Sequence, residues 1–243
     1  MRKVITYLFV IVFVCHARAQ VIDTPLSYSV SQPSTLNAKT PVLILLHGYG
    51  SNENDLLDMA QAFDPKFITF SIRAPFKAGN GGFSWYDVEF LQNNEMKYAY
   101  SQVKESKKLL LSFISKACAA YHADSTQVYV LGFSQGAIMA YEIAVSAPKK
   151  VKGIISLSGR MLEETRTVAA DWKQVTQVKI FIAHGHSDNV IKFTDSEKAY
   201  AFFKEKKVAD LTFKNYEMPH SISGSELNDI KVWLTKALQP VLK

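Results

Sequence analysis

Ser134 is the residue whose surroundings most directly suggest chemistry. It lies in GFSQG, residues 132–136, after the apolar run QVYVL and before the helix-like run AIMAYEIA. Gly-x-Ser-x-Gly between a strand and a helix is typical of a nucleophile elbow, a strained turn that lifts a serine hydroxyl clear of the sheet. A side chain in place of either glycine would crowd this turn. The pattern predicts a nucleophile at a helix N-terminus, where the helix dipole favours negative charge; a plain N-cap serine is the alternative.

A carboxylate and an imidazole follow later apolar runs. Asp188 lies in HGHSDNVI, and His220 lies in EMPHSIS. In a Ser…Asp…His order, the imidazole can take the proton of the serine while the carboxylate orients and stabilises the imidazole. The alternatives are a turn-forming aspartate beside Asn189 and a simple loop histidine. The sequence therefore predicts an acyl-transfer triad of Ser134, Asp188 and His220.

Other candidate acids and bases are less well placed in the chain. They lie in the N-terminal segment, behind a helix, directly beside the proposed acid or at the predicted N-cap of a helix: His16, His122, His184, His186 and Asp195. A base at the carboxyl end of one strand and an acid at the end of another fit a triad better, because ligands of such folds bind at that edge of the sheet.

The loop LLHGYGSNENDL, residues 45–56, follows the first strong apolar run and is expected to complete the site. Its glycines allow a sharp turn that aims backbone amides at a carbonyl oxygen. In hydrolases with a nucleophile elbow, one oxyanion donor is the amide after the nucleophile, and the other comes from an early loop of this kind. We expect these donors at Gln135 and Tyr49. The alternative is a plain strand-to-helix connection.

The elements that must position these residues are apolar runs that alternate with helix-like runs. The apolar runs resemble strands covered on both faces, and they span residues 42–47, 67–72, 127–133, 151–157, 178–184 and 211–218. Helical periodicity lies between and after them, for example at Leu227, Ile230 and Leu234, where Ser223 and Glu226 predict a capping box. The alternation predicts an α/β fold with a mostly parallel, doubly wound sheet flanked by helices.

Composition and charge exclude several classes of protein. The 243 residues are 48% hydrophobic and 21% charged, as is typical of a folded globular chain. The formal charge is +6, but no Lys/Arg cluster with interleaved aromatics is present, so nucleic acid is not an expected partner. Cys118 lies on the apolar stripe of a helical pattern and is expected to be a small buried hydrophobe. His and Cys show no metal-ligand spacing, and no metal or cofactor is expected.

The first twenty residues, MRKVITYLFVIVFVCHARAQ, have the pattern of an export signal. Two basic residues precede an apolar core at residues 4–14, and Ala-Arg-Ala at residues 17–19 fits a small-x-small cleavage site. We expect a signal peptide of residues 1–19 and a single domain of residues 20–243, exported to the periplasm or the external medium without a stable membrane span. The alternative is an uncleaved anchor, for which the apolar core is too short to cross ~30 Å of hydrocarbon.

Together these segments resemble the phospholipase/carboxylesterase family of α/β-hydrolases, which includes bacterial carboxylesterases and acyl-protein thioesterases. The family landmarks occur in order: LLHGYGSNENDL, SIRAPFKAGNGGFSWYD, LGFSQGA, SLSG, HGHSDNVI and PHSIS. The resemblance implies an α/β-hydrolase fold, the triad and oxyanion donors given above, and an acyl pocket walled by Trp85 and Met161. Trp85 is equally consistent with a buried core aromatic. Pro219 departs from the family, which usually has glycine at that position.

These features predict an exported serine hydrolase that cleaves carboxylic esters or thioesters of short-to-medium acyl chains. Its partner is expected to be a small-molecule ester. Removing 19 signal residues from 243 leaves 224, too few for a separate lid domain. The competing hypotheses are a secreted peptidase or a polysaccharide- or feruloyl-type esterase on the same fold, and a non-catalytic binding protein. The oligomeric state is not determined by the sequence.

Overall fold

The computed structural model describes residues 20–60, 63, 66–79, 81–90, 96–168 and 171–239. The predicted signal peptide lies outside these residues. The strands of the described residues are β1 (Tyr28–Ser31), β2 (Val42–Leu46), β3 (Ile68–Ile72), β4 (Phe76–Lys77), β5 (Phe83–Ser84), β6 (Val88–Phe90), β7 (Met96–Tyr98), β8 (Val128–Phe133), β9 (Gly153–Leu157), β10 (Lys179–Gly185) and β11 (Leu211–Tyr216). The helices are α1 (Leu57–Ala60), α2 (Tyr100–Ala120), α3 (Gln135–Ser146), α4 (Glu163–Thr167), α5 (Trp172–Val175), α6 (Phe193–Glu205) and α7 (Gly224–Ala237), with a 3₁₀ turn at Pro148–Lys150.

Seven of the strands form one sheet in the order β1-β3-β2-β8-β9-β10-β11. All neighbouring pairs are parallel except β1 with β3, which is antiparallel at the edge. Two small antiparallel ribbons, β4 with β5 and β6 with β7, lie in the connection between β3 and α2. Because parallel strands end at the same edge, the loops after β8, β10 and β11 lie near one another.

The alternating side chains of the central strands separate two hydrophobic cores. In β2, Val42, Ile44 and Leu46 pack into one core, whereas Leu43 and Leu45 pack into the other. All five are fully buried. A strand with both faces covered has no solvent-facing position, which explains why these runs are apolar throughout rather than alternating.

All six predicted strands are present, with ends that differ by one or two residues. The edge strand β1 and the two ribbons were not predicted. Tyr28–Ser31 is four residues long and only partly buried, so it carries neither the length nor the apolar run of a central strand. It forms because β3 offers an unpaired edge with which it can pair.

The helices confirm the predicted periodicity. The capping box of α7 is present, with the Ser223 side chain accepting from the Glu226 amide at 3.2 Å. Cys118 is a buried free thiol on the inner face of α2, as expected. Helix α3 is buried over most of its length and packs against the central strands β8, β9 and β2. Within the described residues, no helix combines the length and the apolar character that crossing a membrane requires.

Candidate active site

Ser134 occupies a strained turn between β8 and α3. Its backbone has φ 55° and ψ −115°, a left-handed conformation that non-glycine residues adopt rarely and mainly at functional sites. Its amide donates to the Leu157 carbonyl at 2.9 Å, which ties the turn to β9. A Cβ at Gly132 would collide with the backbone of Gly136, and one at Gly136 would collide with the carbonyl of Leu46. The two glycines are therefore needed for the turn, as predicted.

The side chains of Ser134, His220 and Asp188 lie in hydrogen-bonding sequence. The Ser134 Oγ is 2.9 Å from His220 Nε2, and His220 Nδ1 is 2.6 Å from Asp188 Oδ2. The Ser134 side chain caps no amide of α3, so the simple N-cap interpretation does not describe this residue. His220 Nδ1 faces a carboxylate and carries the ring proton, which leaves Nε2 as the acceptor for the serine hydroxyl.

Asp188 is held as a carboxylate by three hydrogen-bond donors, with a second imidazole nearby. Its Oδ1 accepts from the amides of Val190 at 2.8 Å and Ile191 at 2.9 Å, and its Oδ2 faces His220 and His184. Burial alone would raise the pKa of Asp188, but the hydrogen bonds from His220, Ile191 and Val190 outweigh it and the pKa is lowered. One oxygen thus forms the turn, as the alternative interpretation expected, while the other faces the imidazole.

His184 supports the acid, which the sequence reasoning missed. Its Nε2 lies 2.9 Å from the Ile191 carbonyl and 3.0 Å from Asp188 Oδ2, and its Nδ1 lies 2.5 Å from Ser196 Oγ. The ring is fully buried, and burial lowers its pKa. A neutral ring with the proton on Nε2 fits these acceptors. The sequence shows only a histidine four residues before the acid, and no local pattern indicates this contact.

His220 is positioned by the loop after β11. Its ring packs against Phe133, with the ring centroids 4.9 Å apart. The Ser187 amide donates to the Met218 carbonyl at 3.2 Å, which joins the loop of the base to the loop of the acid. Pro219, which departs from the family pattern, lies in this loop, and His220 nevertheless reaches both of its partners.

The two residues predicted to donate to an oxyanion lie at the same cleft as Ser134. Tyr49 and Gln135 both line it. Gly48 packs so closely on the elbow that a Cβ there would contact Ser134 Cβ at 3.3 Å. Among the described residues, neither the Tyr49 amide nor the Gln135 amide donates to a backbone acceptor, which leaves both available to a bound oxygen.

Trp85 holds the Tyr49 loop and does not wall the cleft, so the predicted role in substrate contact is corrected. The Trp85 side chain is fully buried, and its Nε1 donates to the His47 carbonyl at 2.9 Å. Its amide donates at 2.7 Å to the Gln135 side chain, which donates in turn to the Tyr86 carbonyl at 2.7 Å. A buried indole needs an acceptor for its N–H, and the His47 carbonyl of the Tyr49 loop is this acceptor.

His47 holds the Tyr49 loop through two further hydrogen bonds. Its Nε2 accepts from the Ala74 amide at 3.0 Å, so Nδ1 carries the proton and donates to the Gly48 carbonyl at 2.7 Å. Burial lowers the pKa of His47, which keeps the ring neutral in this role.

Met161 is likewise absent from the wall of the cleft. It is 5% exposed and lines a neighbouring hollow with Tyr98, Glu163 and Arg166 instead. The preceding residue, Arg160, lines both this hollow and the cleft. The prediction that Met161 walls the cleft was therefore wrong by one residue, because the path of the turn after β9 determines which side chain lies at the cleft.

The cleft beside Ser134 has a volume of about 230 Å³. Apart from the site residues its wall is mainly apolar, with Tyr86, Val88, Met96, Phe133, Ile138, Val190 and Ile191 among the lining side chains and Arg160 as a charged one. In the part of the chain that the structure describes, His, Cys, Asp and Glu form no group suited to hold a metal ion.

Comparison with known proteins agrees with this geometry. A model of the phospholipase/carboxylesterase family matches residues 29–238. Acyl-protein thioesterase 1 of Kluyveromyces lactis is 28% identical over 212 residues, covering 82% of this chain and 92% of that protein. The carboxylesterase of Bacillus cereus superposes with a TM-score of 0.77 at 23% identity, covering 88% and 96% of the two chains. Acyl-protein thioesterase 2 of Zea mays has a TM-score of 0.74 at 19% identity, covering 88% and 99%.

The fold is that of an α/β-hydrolase, as predicted, and the protein is a hydrolase of esters. More particularly, the chain belongs to the phospholipase/carboxylesterase family, which confirms the resemblance drawn from its sequence.

Proposed function

We propose that the protein is an exported serine hydrolase that cleaves carboxylic esters or thioesters of short-to-medium acyl chains. The observation that carries the proposal is the run of hydrogen bonds from the Ser134 hydroxyl through the His220 ring to the Asp188 carboxylate. The thioester alternative is included because relatives of this chain are named acyl-protein thioesterases.

In this mechanism Ser134 Oγ attacks the carbonyl carbon of the ester. His220 Nε2, 2.9 Å away, accepts the hydroxyl proton and returns it to the leaving alcohol or thiol. Asp188 keeps the ring in the tautomer that has its proton on Nδ1 and stabilises the imidazolium as it forms. Water then attacks the acyl-enzyme with His220 as the base, and this step releases the acid.

The amides of Tyr49 and Gln135 are assigned to the oxyanion of the tetrahedral intermediate. Gln135 is the first residue of α3, so its amide has no intrahelical acceptor and adds the positive end of the helix dipole. Loss of one such donor typically costs about 3–4 kcal/mol of transition-state stabilisation. The Trp85 and His47 hydrogen bonds hold the Tyr49 loop in place before substrate arrives, which is the condition for this kind of stabilisation.

The size of the cleft supports the proposed acyl length. Its volume of about 230 Å³ lies below the roughly 300–1,000 Å³ of sites that enclose drug-sized ligands. A short or medium acyl chain therefore fits better than a long one, and the apolar wall suits its methylene groups.

The proposed nucleophile is tested by Ser134→Ala in the protein beginning at Gln20. We expect turnover of p-nitrophenyl butyrate to fall by on the order of 10⁶, because the three residues act as a unit, and labelling by a fluorophosphonate probe to disappear. Ser115→Ala, an exposed serine on α2, is the matched control and should retain both. Labelling that persists in Ser134→Ala would show that another residue is the nucleophile.

Export and cleavage after residue 19 are proposed from the N-terminal pattern alone. Expression of the full chain in a Gram-negative bacterium, followed by fractionation and mass spectrometry of the N-terminus, tests this directly. The mature protein should begin at Gln20 outside the cytoplasm. Recovery of the intact chain from the membrane fraction would instead identify the leader as an anchor.

A further inference from the structure

Arg160 is a fixed positive charge on the wall of the Ser134 cleft. It follows β9 at the turn where Ser158 takes φ 48°, and the Ser158 amide is held by the Ala183 carbonyl at 2.9 Å. Apart from Ser134, Gln135 and His220, the rest of the lining is mainly apolar, and no acidic side chain of the described residues lines this cleft. Arg160 also lines the neighbouring hollow, which contains Glu163 and Asp195. Its charge is not needed by the proposed triad, because neither His220 nor Asp188 contacts it.

The contacts of Arg160 with the protein are weak ones. Its Nη2 lies 3.4 Å from the Met96 sulfur, a poor acceptor, and its Cζ lies 5.7 Å from the centroid of the Tyr98 ring. Its Nε is buried, and among the described residues it has no hydrogen-bond partner. A buried donor without an acceptor lowers the stability of the folded protein. The position of Arg160 is therefore not explained by a contribution to folding stability.

The nearby carboxylates are occupied elsewhere. Glu164 accepts from the Tyr98 hydroxyl at 2.6 Å, and within the described part of the chain no carboxylate lies within 4.0 Å of the Arg160 guanidinium. Arg73 shows the contrast, since its Nε and Nη2 both donate to Glu53. Among the described residues, the Arg73 guanidinium is therefore paired through its planar fork, whereas the guanidinium of Arg160, beside the proposed nucleophile, has no carboxylate partner.

We propose that Arg160 binds a carboxylate of the substrate, so that the preferred esters are monoanionic. A guanidinium presents parallel N–H donors that match a carboxylate in a bidentate pair, and such pairs are stronger in a cleft shielded from water. One positive charge balances one negative charge, and the apolar walls accommodate the carbon chain between the carboxylate and the ester. This inference rests on the proposed serine hydrolase mechanism and names its substrate class.

Two pairs of esters test the inference and locate the carboxylate. The first pair is the p-nitrophenyl monoester of adipic acid against p-nitrophenyl hexanoate, which differ by an acyl-side carboxylate. The second is 4-carboxyphenyl hexanoate against 4-carbamoylphenyl hexanoate, which differ on the alcohol side. Each kcat/KM is divided by the rate constant of uncatalysed hydrolysis, so that intrinsic reactivity cancels.

In at least one pair we expect the anionic ester to be preferred by about tenfold or more, as is typical of a charge-assisted hydrogen bond. Arg160→Gln should lower kcat/KM for that ester by about 10- to 100-fold, mainly through KM, and change the neutral ester by less than about threefold. Arg160→Lys should recover part of the loss, because it restores the charge without the fork. Arg166→Gln, an arginine of α4 outside this cleft, is the matched control and should resemble the wild type.

The outcomes separate this inference from the proposed function. If the neutral esters are hydrolysed in a Ser134-dependent manner, but neither anionic ester is preferred, the carboxylate site is wrong and the hydrolase stands. An equal loss for neutral and anionic esters in Arg160→Gln also overturns the inference, because it indicates a structural role. If hydrolysis survives Ser134→Ala, the proposed mechanism fails and this inference fails with it.

Discussion

Replacement of Glu226 by glutamine should make the protein less sensitive to alkaline pH. Glu226 is fully buried at the start of α7. Its Oε2 accepts from the Ser223 amide at 3.4 Å, and its Oε1 has no hydrogen-bond partner among the described residues. Burial raises the pKa of Glu226 from 4.5 to about 7, although the hydrogen bond from Ser223 acts in the opposite direction.

The sign follows from proton binding. Between pH 4.5 and about 7 the folded protein holds a proton on Glu226 that the unfolded chain has lost, so stability falls as pH rises through this range. Glutamine imitates the protonated acid and does not ionise. The shift from 4.5 to about 7 corresponds to about 3 kcal/mol at pH values above both pKa values, and about 2–3 kcal/mol of it develops between pH 5 and pH 8.5.

Thermal unfolding at pH 5 and pH 8.5 measures this difference. For a chain of this size 1 kcal/mol shifts Tm by about 2–4 °C. The Tm of Glu226→Gln relative to wild type should therefore be higher at pH 8.5 than at pH 5 by about 4–12 °C. Glu205→Gln, an exposed residue at the end of α6, controls for loss of a negative charge. The reasoning is refuted if the Tm difference for Glu226→Gln is the same at both pH values.

Two further changes test the site. Asp188→Asn removes the charged acceptor 2.6 Å from His220 Nδ1 and should lower kcat by about 10⁴-fold with little change in KM, measured on p-nitrophenyl butyrate; a loss below tenfold would exclude Asp188 as the acid. Trp85→Phe leaves the His47 carbonyl without its donor, and it should lower the free energy of unfolding in urea by about 2–4 kcal/mol. It should also lower kcat by the same factor for esters of every acyl length. A changed acyl-length preference with an unchanged free energy of unfolding would instead place Trp85 on the wall of the cleft.

Much of the site was predictable because its parts are local patterns. The glycines at 132 and 136 leave room that a turn between strand and helix requires, and this requirement is written in adjacent residues. Asp188 and His220 each follow an apolar run, and parallel strands bring the ends of such runs to one edge of the sheet. Three residues distant in sequence could therefore be assigned to one place.

The supporting contacts were not predictable in the same way. Trp85 lies in a glycine-rich segment, and it is buried by contacts with residues distant in sequence, among them the Gln135 side chain, the His47 carbonyl and the Ser106 hydroxyl. His184 reaches Asp188 because the turn after β10 folds back on itself. Arg160 lines the cleft, whereas Met161 lines only the neighbouring hollow.

The sequence by itself determined six of the seven strands of the large sheet, which faces are apolar and which residue types could perform acyl transfer. Only the tertiary structure decided the strand order that places the loops after β8, β10 and β11 together, and which side chains turn into the cleft. The physical reason is that periodicity records whether a face is buried, but it does not record what covers that face. The partner is selected by contacts between residues tens of positions apart, and these form only when the whole sheet is assembled.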